Sequence, residues 1–351
     1  NYEAACSIAA TEVIPVIKAD AYGHGAVPVA LALSKKGITM FAVSNLNEAV
    51  ELRKAGINCD ILILGYTPHS CAKEIAEHNI VQTIFSLDYA RALNQAAKEN
   101  SIKIRTHLKL DTGMGRIGFN CKSDLDSAKE ALMLDCLENE GVFTHFSCAD
   151  SIESQDLSYT QKQYDGFCDA IAILESKGFS FKMKHCSNSA GIVTKKGVDF
   201  NAAREGIILY GLAPSKDVAL PSDFIPAMSF YSVVSMVKEV EKGEYFSYGR
   251  TFKSDTPMKV ATVSAGYGDG IPRLLSNKGF VLIKGQKARI VGRVCMDQFL
   301  IDVTHIDDVK MGDVVTLFDK NLSVDEVAKN AQTINYEIVC GITKRVPRIY
   351  K

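Results

Sequence analysis

The sequence predicts an α/β protein: a closed parallel (β/α)8 barrel of the TIM type over residues 1–225, then a mostly-β domain over residues 226–351. Three observations carry this reading. Eight short apolar runs alternate with helical stretches in the first two-thirds of the chain, and eight strand–helix repeats is the number that closes a parallel barrel. After about Pro226 the pattern changes to closely spaced strands with little helical signal. The length, 351 residues, exceeds what one core usually absorbs.

In chain order, the expected barrel strands are 13–18, 40–44, 60–64, 83–86, 105–110, 141–146, 182–186 and, more weakly, 198–203. Helical stretches fall at 45–55, 70–78, 86–100, 123–134 and 159–177. In the last of these Tyr164, Phe167, Ile171 and Leu174 recur at helical spacing and predict one buried face. The second domain is expected to contain strands at 229–240, 259–264, 280–284, 287–291, 298–303 and 313–317, with a helix at 324–332. Lys284-Gly285-Gln286 fits a hairpin turn. An open doubly wound sheet is the alternative for the first domain, but no GxGxxG follows its first strand.

Composition is that of an ordinary globular protein, 47% hydrophobic and 23% charged. A net charge of -1 gives no electrostatic case for nucleic acid or an anionic membrane. No apolar run approaches the ~20 residues of a membrane span, and no signal peptide is visible. The ten cysteines are scattered without a CxxC pair, and the seven histidines lack metal-ligand spacing. A reducing compartment and no metal are expected. The chain begins at Asn1-Tyr2, compatible with a cytoplasmic protein or with the cytoplasmic domain of a longer, membrane-anchored one.

The most informative segment is Val16-Ile17-Lys18-Ala19-Asp20-Ala21-Tyr22-Gly23-His24-Gly25. A lysine at the end of a buried strand, before a Gly-rich turn, is poised over a cavity. Burial favours the neutral amine, which can form a Schiff base with a carbonyl cofactor. Five further landmarks follow. They are Lys109-Leu110-Asp111-Thr112-Gly113-Met114-Gly115-Arg116, Arg204-Glu205-Gly206-Ile207, Ser247-Tyr248-Gly249-Arg250, Gly266-Tyr267-Gly268-Asp269-Gly270, and Gly292-Arg293-Val294-Cys295-Met296-Asp297. Asn335-Tyr336-Glu337 closes the series.

In this order the landmarks resemble the alanine racemases, fold-type III pyridoxal-phosphate enzymes, over nearly the whole chain. The resemblance implies a homodimer with shared active sites, pyridoxal 5'-phosphate as cofactor and an amino-acid substrate. It makes Lys18 the cofactor lysine and one catalytic base, with Tyr248, from the other subunit, as the opposite base. Arg204 would face the pyridine nitrogen, and His145, ending the sixth strand, would support it. Ser189, Gly206, Ile207, Tyr22 and Tyr336 would hold the phosphate. Arg116 would lie near the cofactor's phenolic oxygen and the substrate carboxylate, after a Gly113-Met114-Gly115 turn that lets backbone approach a ligand. Met296 and Tyr267 would meet the substrate, and Lys109 matches a lysine often carbamylated in the family. A serine racemase of the vancomycin-resistance type, a decarboxylase of the same fold and a non-enzymatic cofactor carrier are the alternatives. Tyr336, where the serine branch tends to carry asparagine, favours alanine.

Overall fold

The computed structural model describes residues 1–351 in full. The chain forms two compact units, Asn1–Ala21 with Gly25–Ile225, and Tyr22–His24 with Pro226–Lys351.

The first unit is a parallel barrel of eight strands: β1 (Glu12–Pro15), β2 (Met40–Val43), β3 (Asp60–Ile63), β4 (Val81–Ile84), β5 (Ile104–Asp111), β6 (Leu137–Phe143), β7 (Met183–His185) and β8 (Ala202–Glu205). Their order is β1-β8-β7-β6-β5-β4-β3-β2. A parallel bridge from Val16 to Ala42 brings the first strand back to the second. Runs such as Ile61-Leu62-Ile63 and Phe41-Ala42-Val43 are fully buried, as strands covered on both faces must be. The helices start where short polar residues can cap them. Asn45, Ser86 and Asn188 each accept a hydrogen bond from the third amide of the helix that follows. In the long helix Ser154–Ser176, Phe167, Ile171 and Leu174 are buried and Tyr164 is partly exposed.

Several expected boundaries move. The fourth strand ends at Ile84, because Ser86 is spent as the cap of helix Leu87–Glu99. The sixth runs from Leu137 to Phe143, so His145 lies in the loop beyond the strand. The eighth starts only at Ala202; Asn201 precedes it, and its amide accepts from Lys184 N and donates to Lys182 O. The first ends at Pro15, and Lys18 opens a turn instead of closing a strand. Helices Tyr2–Ala9 and Ala26–Ser34 had no sequence signal strong enough to name.

The second unit is a closed antiparallel barrel of β9 (Phe230–Val240), β10 (Met258–Val263), β11 (Phe280–Ile283), β12 (Gln286–Val291), β13 (Phe299–Asp302) and β14 (Val314–Phe318). The strand order is β9-β10-β13-β12-β11-β14. Each lies within two residues of its sequence expectation. Lys284 and Gly285 both take positive φ, 49° and 75°, the two-residue turn whose twist matches its flanking strands. Val240, Phe246, Met258, Val260 and Val291 pack together in its core. Two short helices, Val324–Asn330 and Asn335–Cys340, complete the unit.

Candidate active site

Lys18 follows Ile17, whose amide still bonds to Ala42 O in β2 at 2.9 Å. The backbone then does something rare. Ala19, Asp20, Ala21 and Tyr22 all have φ between 52° and 55°, a left-handed turn made without glycine. Each such residue costs roughly 1–2 kcal/mol, so other bonds must hold it. The Asp20 carboxylate accepts from Ala26 N at 2.8 Å, and Asp20 O accepts from Gly25 N at 2.8 Å. The Glu48 carboxylate accepts from Ala19 N at 2.8 Å.

Beside this turn the barrel gathers cations. Arg204, on β8, is buried and meets no carboxylate. Its Nη1 donates to His185 Nδ1 at 2.7 Å and His185 O at 3.1 Å. Its Nη2 donates to Thr144 O at 2.7 Å, Cys186 O at 3.1 Å and His145 Nδ1 at 3.2 Å. An arginine only donates, so both histidines accept through Nδ1 and carry their proton on Nε2. His185 then donates that proton to His107 Nδ1 at 3.1 Å. Burial keeps the chain neutral, lowering His107 to about 4 and His185 well below the usual histidine range. Burial also lowers Arg204 to about 10, which leaves it charged near neutrality. These bonds use both terminal nitrogens and leave the Nε–H without a protein acceptor.

Lys109 is buried on β5. Its Nζ donates to Leu110 O at 3.1 Å and lies 5.1 Å from the Phe143 ring centroid. Burial, then the charge of Arg204, push its pKa well below the usual lysine value. His145 is pushed down by burial and by Arg204, Lys109, Arg116 and Lys18. Those five residues therefore share one electrostatic neighbourhood. The turn before Arg116 is organised by Asp111, whose carboxylate accepts from Gly113 N at 2.9 Å and Gly115 N at 3.0 Å. Arg116 itself is exposed. Gly113 differs from the sequence expectation: a Cβ there would sit 2.5 Å from Tyr159 Oη, so its close approach is to a helix and not to open space. On the same barrel, buried Ser189 accepts from Gly206 N at 2.9 Å, placing Ser189 against the Gly206-Ile207 step that follows β8.

In the second unit Tyr22 is buried and its ring lies 6.1 Å from that of Tyr336. Tyr248, Tyr267 and Met296 are exposed and stand on three loops tied together. Ser247 Oγ donates to Arg293 O at 2.7 Å. Tyr267 N and Gly268 N donate to Cys295 O and Met296 O, both at 2.9 Å. Arg345 joins Asp269 at 2.7 Å to Asp297 at 2.8 Å. The Arg250 guanidinium lies 4.2 Å from the Tyr245 ring centroid.

Family models for the alanine racemase N-terminal domain and C-terminal domain match residues 1–214 and 227–350. The chain belongs to the alanine racemase family. Alanine racemase 2 of Caldanaerobacter subterraneus is 44% identical over 347 residues, covering 97% of this chain and 88% of that protein. The alanine racemase of Desulforamulus reducens is 44% identical over 342 residues, covering 97% and 92%. Among solved structures, alanine racemase from Bacillus anthracis with bound L-Ala-P has a TM-score of 0.91 at 38% identity, over 98% of this chain and 91% of that one. The Clostridium difficile alanine racemase in complex with cycloserine has a TM-score of 0.88 at 36% identity, over 99% and 92%.

For an alanine racemase family member, sequence reading left several residues of this site unassigned. His107 and His185 are strand histidines with no motif around them, and only the contact between β5 and β7 pairs them. Asp111 and Asp269 lie inside quoted motifs and Arg345 beyond the last of them, but their bonds to backbone and to one another need the fold. Glu48, on a helix after β2, carried no signal except its place three residues after Asn45, the spacing of a capping pair.

Proposed function

We propose that this alanine racemase family member interconverts L-alanine and D-alanine with pyridoxal 5'-phosphate. The observation that carries the proposal is the match to an alanine racemase at 44% identity over 97% of this chain. It favours alanine over serine racemisation, decarboxylation and a carrier role. The cofactor suits the residues present: Arg204 is a buried cation whose Nε–H has no protein acceptor, and an unprotonated ring nitrogen would accept from it. When bound, the cofactor supplies the electron sink that makes the Cα proton removable.

The remaining work falls to the chain's own side chains. Lys18 Nζ would hold the cofactor, and it would take or return the Cα proton on one face. Tyr248 Oη would do so on the other, reaching the site of a second subunit in a homodimer. Arg204 keeps its proton, so it would leave the ring nitrogen of a bound cofactor unprotonated and would discourage side reactions such as transamination. His145, whose Nδ1 accepts from Arg204 at 3.2 Å, would help fix that arginine toward the cofactor. Ser189, Gly206, Ile207, Tyr22 and Tyr336 would bind phosphate; Arg116, Met296 N–H and Tyr267 would orient the substrate. Lys109, a buried amine whose proton affinity is lowered by burial and by the charge of Arg204, is suited to carry a carbamate that would steady Arg116. No helix is long and apolar enough to cross a membrane, and a cytoplasmic location is the proposal that fits the family. Chiral analysis of the products formed from L-alanine and from L-serine tests the reading. D-alanine as the main product is expected, and faster turnover of serine would overturn the substrate choice.

A further inference from the structure

The left-handed turn after Lys18 poses a problem that one side chain solves. The first amides of a helical turn have no acceptor within it, and here that orphan is Ala19 N–H. It is met from outside by Glu48 Oε1 at 2.8 Å. The other oxygen of the same carboxylate accepts from Ser44 N at 2.7 Å. Ala19 follows the exit of β1 and Ser44 the exit of β2. One carboxylate therefore ties two neighbouring strand ends together just where Lys18 leaves the barrel.

Glu48 is the third residue of helix Leu46–Lys54, whose cap is Asn45. A glutamate in that place commonly bonds back to the amide of its own cap. This one reaches past it to Ser44 and to Ala19. The Asp20 bonds fasten the far end of the turn, to Gly25 and Ala26. At its beginning, next to Lys18, Ala21 N bonds back to Ile17 O, and Glu48 supplies the side-chain bond. Ala19 is a non-glycine residue at φ 52°, and without an acceptor for its amide the right-handed conformation is the lower in energy. Such a flip at Ala19 would swing the adjacent Lys18 side chain.

We infer that Glu48 is a positioning residue, whose two backbone bonds hold the left-handed turn and thereby set the direction of Lys18 Nζ. This rests on the reading of Lys18 as the cofactor lysine.

The test compares wild type, Glu48→Gln and Glu48→Ala. Gln keeps one acceptor and sets an NH2 group against the other amide; Ala removes both acceptors. Two readouts are needed. The first is residue-resolved hydrogen exchange on the protein stripped of cofactor. Ala19 and Ser44 should exchange about tenfold faster or more in Glu48→Ala, with less change in the body of the helix Leu46–Lys54. The second, on protein reloaded with pyridoxal 5'-phosphate, is the visible circular dichroism of the bound cofactor together with kcat and KM. The dichroic band should change in size or sign, and kcat should fall between about tenfold and a hundredfold while KM changes less. Glu48→Gln should lie between. If Glu48→Ala does not fold, Glu48→Gln decides alone. A Gln variant matching wild type in exchange at Ala19 and Ser44 and in the dichroic band overturns the inference. Borohydride reduction of the wild type separates the two failures. Label on Lys18 with unchanged variants defeats the role of Glu48 only, whereas label on another lysine defeats the reading beneath it.

Discussion

The barrel and the second unit equip their residues in opposite ways. In the barrel, Lys109, His107, His185 and Arg204 are buried, and desolvation moves their proton affinities. Basic side chains crowd together there, and no carboxylate meets Arg204. In the second unit Tyr248 is 71% exposed, Met296 52% and Tyr267 44%. What is fixed there is the backbone: Ser247, Gly249 and Arg250 take positive φ, and the loops are bonded amide to carbonyl. The first region prepares charge and the second prepares position. Barrel substitutions should therefore change proton chemistry, and loop substitutions other than at Tyr248 itself should change geometry while leaving the cofactor's surroundings intact.

The largest effect should come from removing the two bases. Lys18→Ala and Tyr248→Phe are each expected to lower racemisation in both directions by about 10²–10⁴-fold, and Tyr248→Phe should still bind cofactor. Mixing the two variants should restore part of the activity, because one hybrid site would hold both bases. Steady-state assays before and after demonstrated subunit exchange check this, and no recovery would place both bases in one chain.

Next in size is a stability effect of burial alone. Glu205 faces away from Arg204 and neither of its oxygens has a partner. Burial pushes it up to about 8 from an ordinary 4.5. The folded protein thus holds a proton that the unfolded chain releases, so stability is full below about pH 4.5 and declines as pH rises to about 8. Glu205→Gln should remove this slope and raise stability at pH 8 by a few kcal/mol at most, since each tenfold change in proton affinity is worth roughly 1.4 kcal/mol. Thermal melts across this range would show it; parallel curves for the two proteins would exclude it.

Smaller is the expected change in selectivity. Replacing Tyr336 by asparagine removes most of a ring and offers an amide to a substrate hydroxyl. The serine-to-alanine ratio of kcat/KM should rise by roughly tenfold, and an unchanged ratio would remove Tyr336 from the substrate boundary. The smallest effect belongs to Arg250. Since it stacks on Tyr245, Arg250→Ala should keep the pH profile of kcat and change activity by no more than about fivefold, an exposed cation–π contact being worth only ~0.5–1 kcal/mol. An acid or alkaline limb displaced by a full pH unit would show that the guanidinium acts on Tyr248 after all.

Much of this comparison was legible before the fold. The alternation of strands and helices, the change near Pro226 and the lysine after the first strand are patterns of period and composition, and these survive in sequence. The left-handed turn at Ala19–Tyr22 does not, because two alanines, an aspartate and a tyrosine carry no positive-φ signature; bonds from Asp20 and the distant Glu48 impose it. His145 lies in the loop and not at a strand end, because the strand stops at Phe143 while Phe146 prolongs the apolar pattern beyond it. The histidine pair 107 and 185 was invisible because their contact joins strands 78 positions apart.

Lys18, just beyond the exit of the first barrel strand, is the proposed carrier of the cofactor. Reduction of the holoenzyme with borohydride, followed by digestion and mass spectrometry, tests this role most directly. A single pyridoxyl group on the peptide containing Lys18, with loss of the visible absorbance and of activity, is the predicted result. A pyridoxyl group on Lys109 or any other lysine, with Lys18 unmodified, would contradict it.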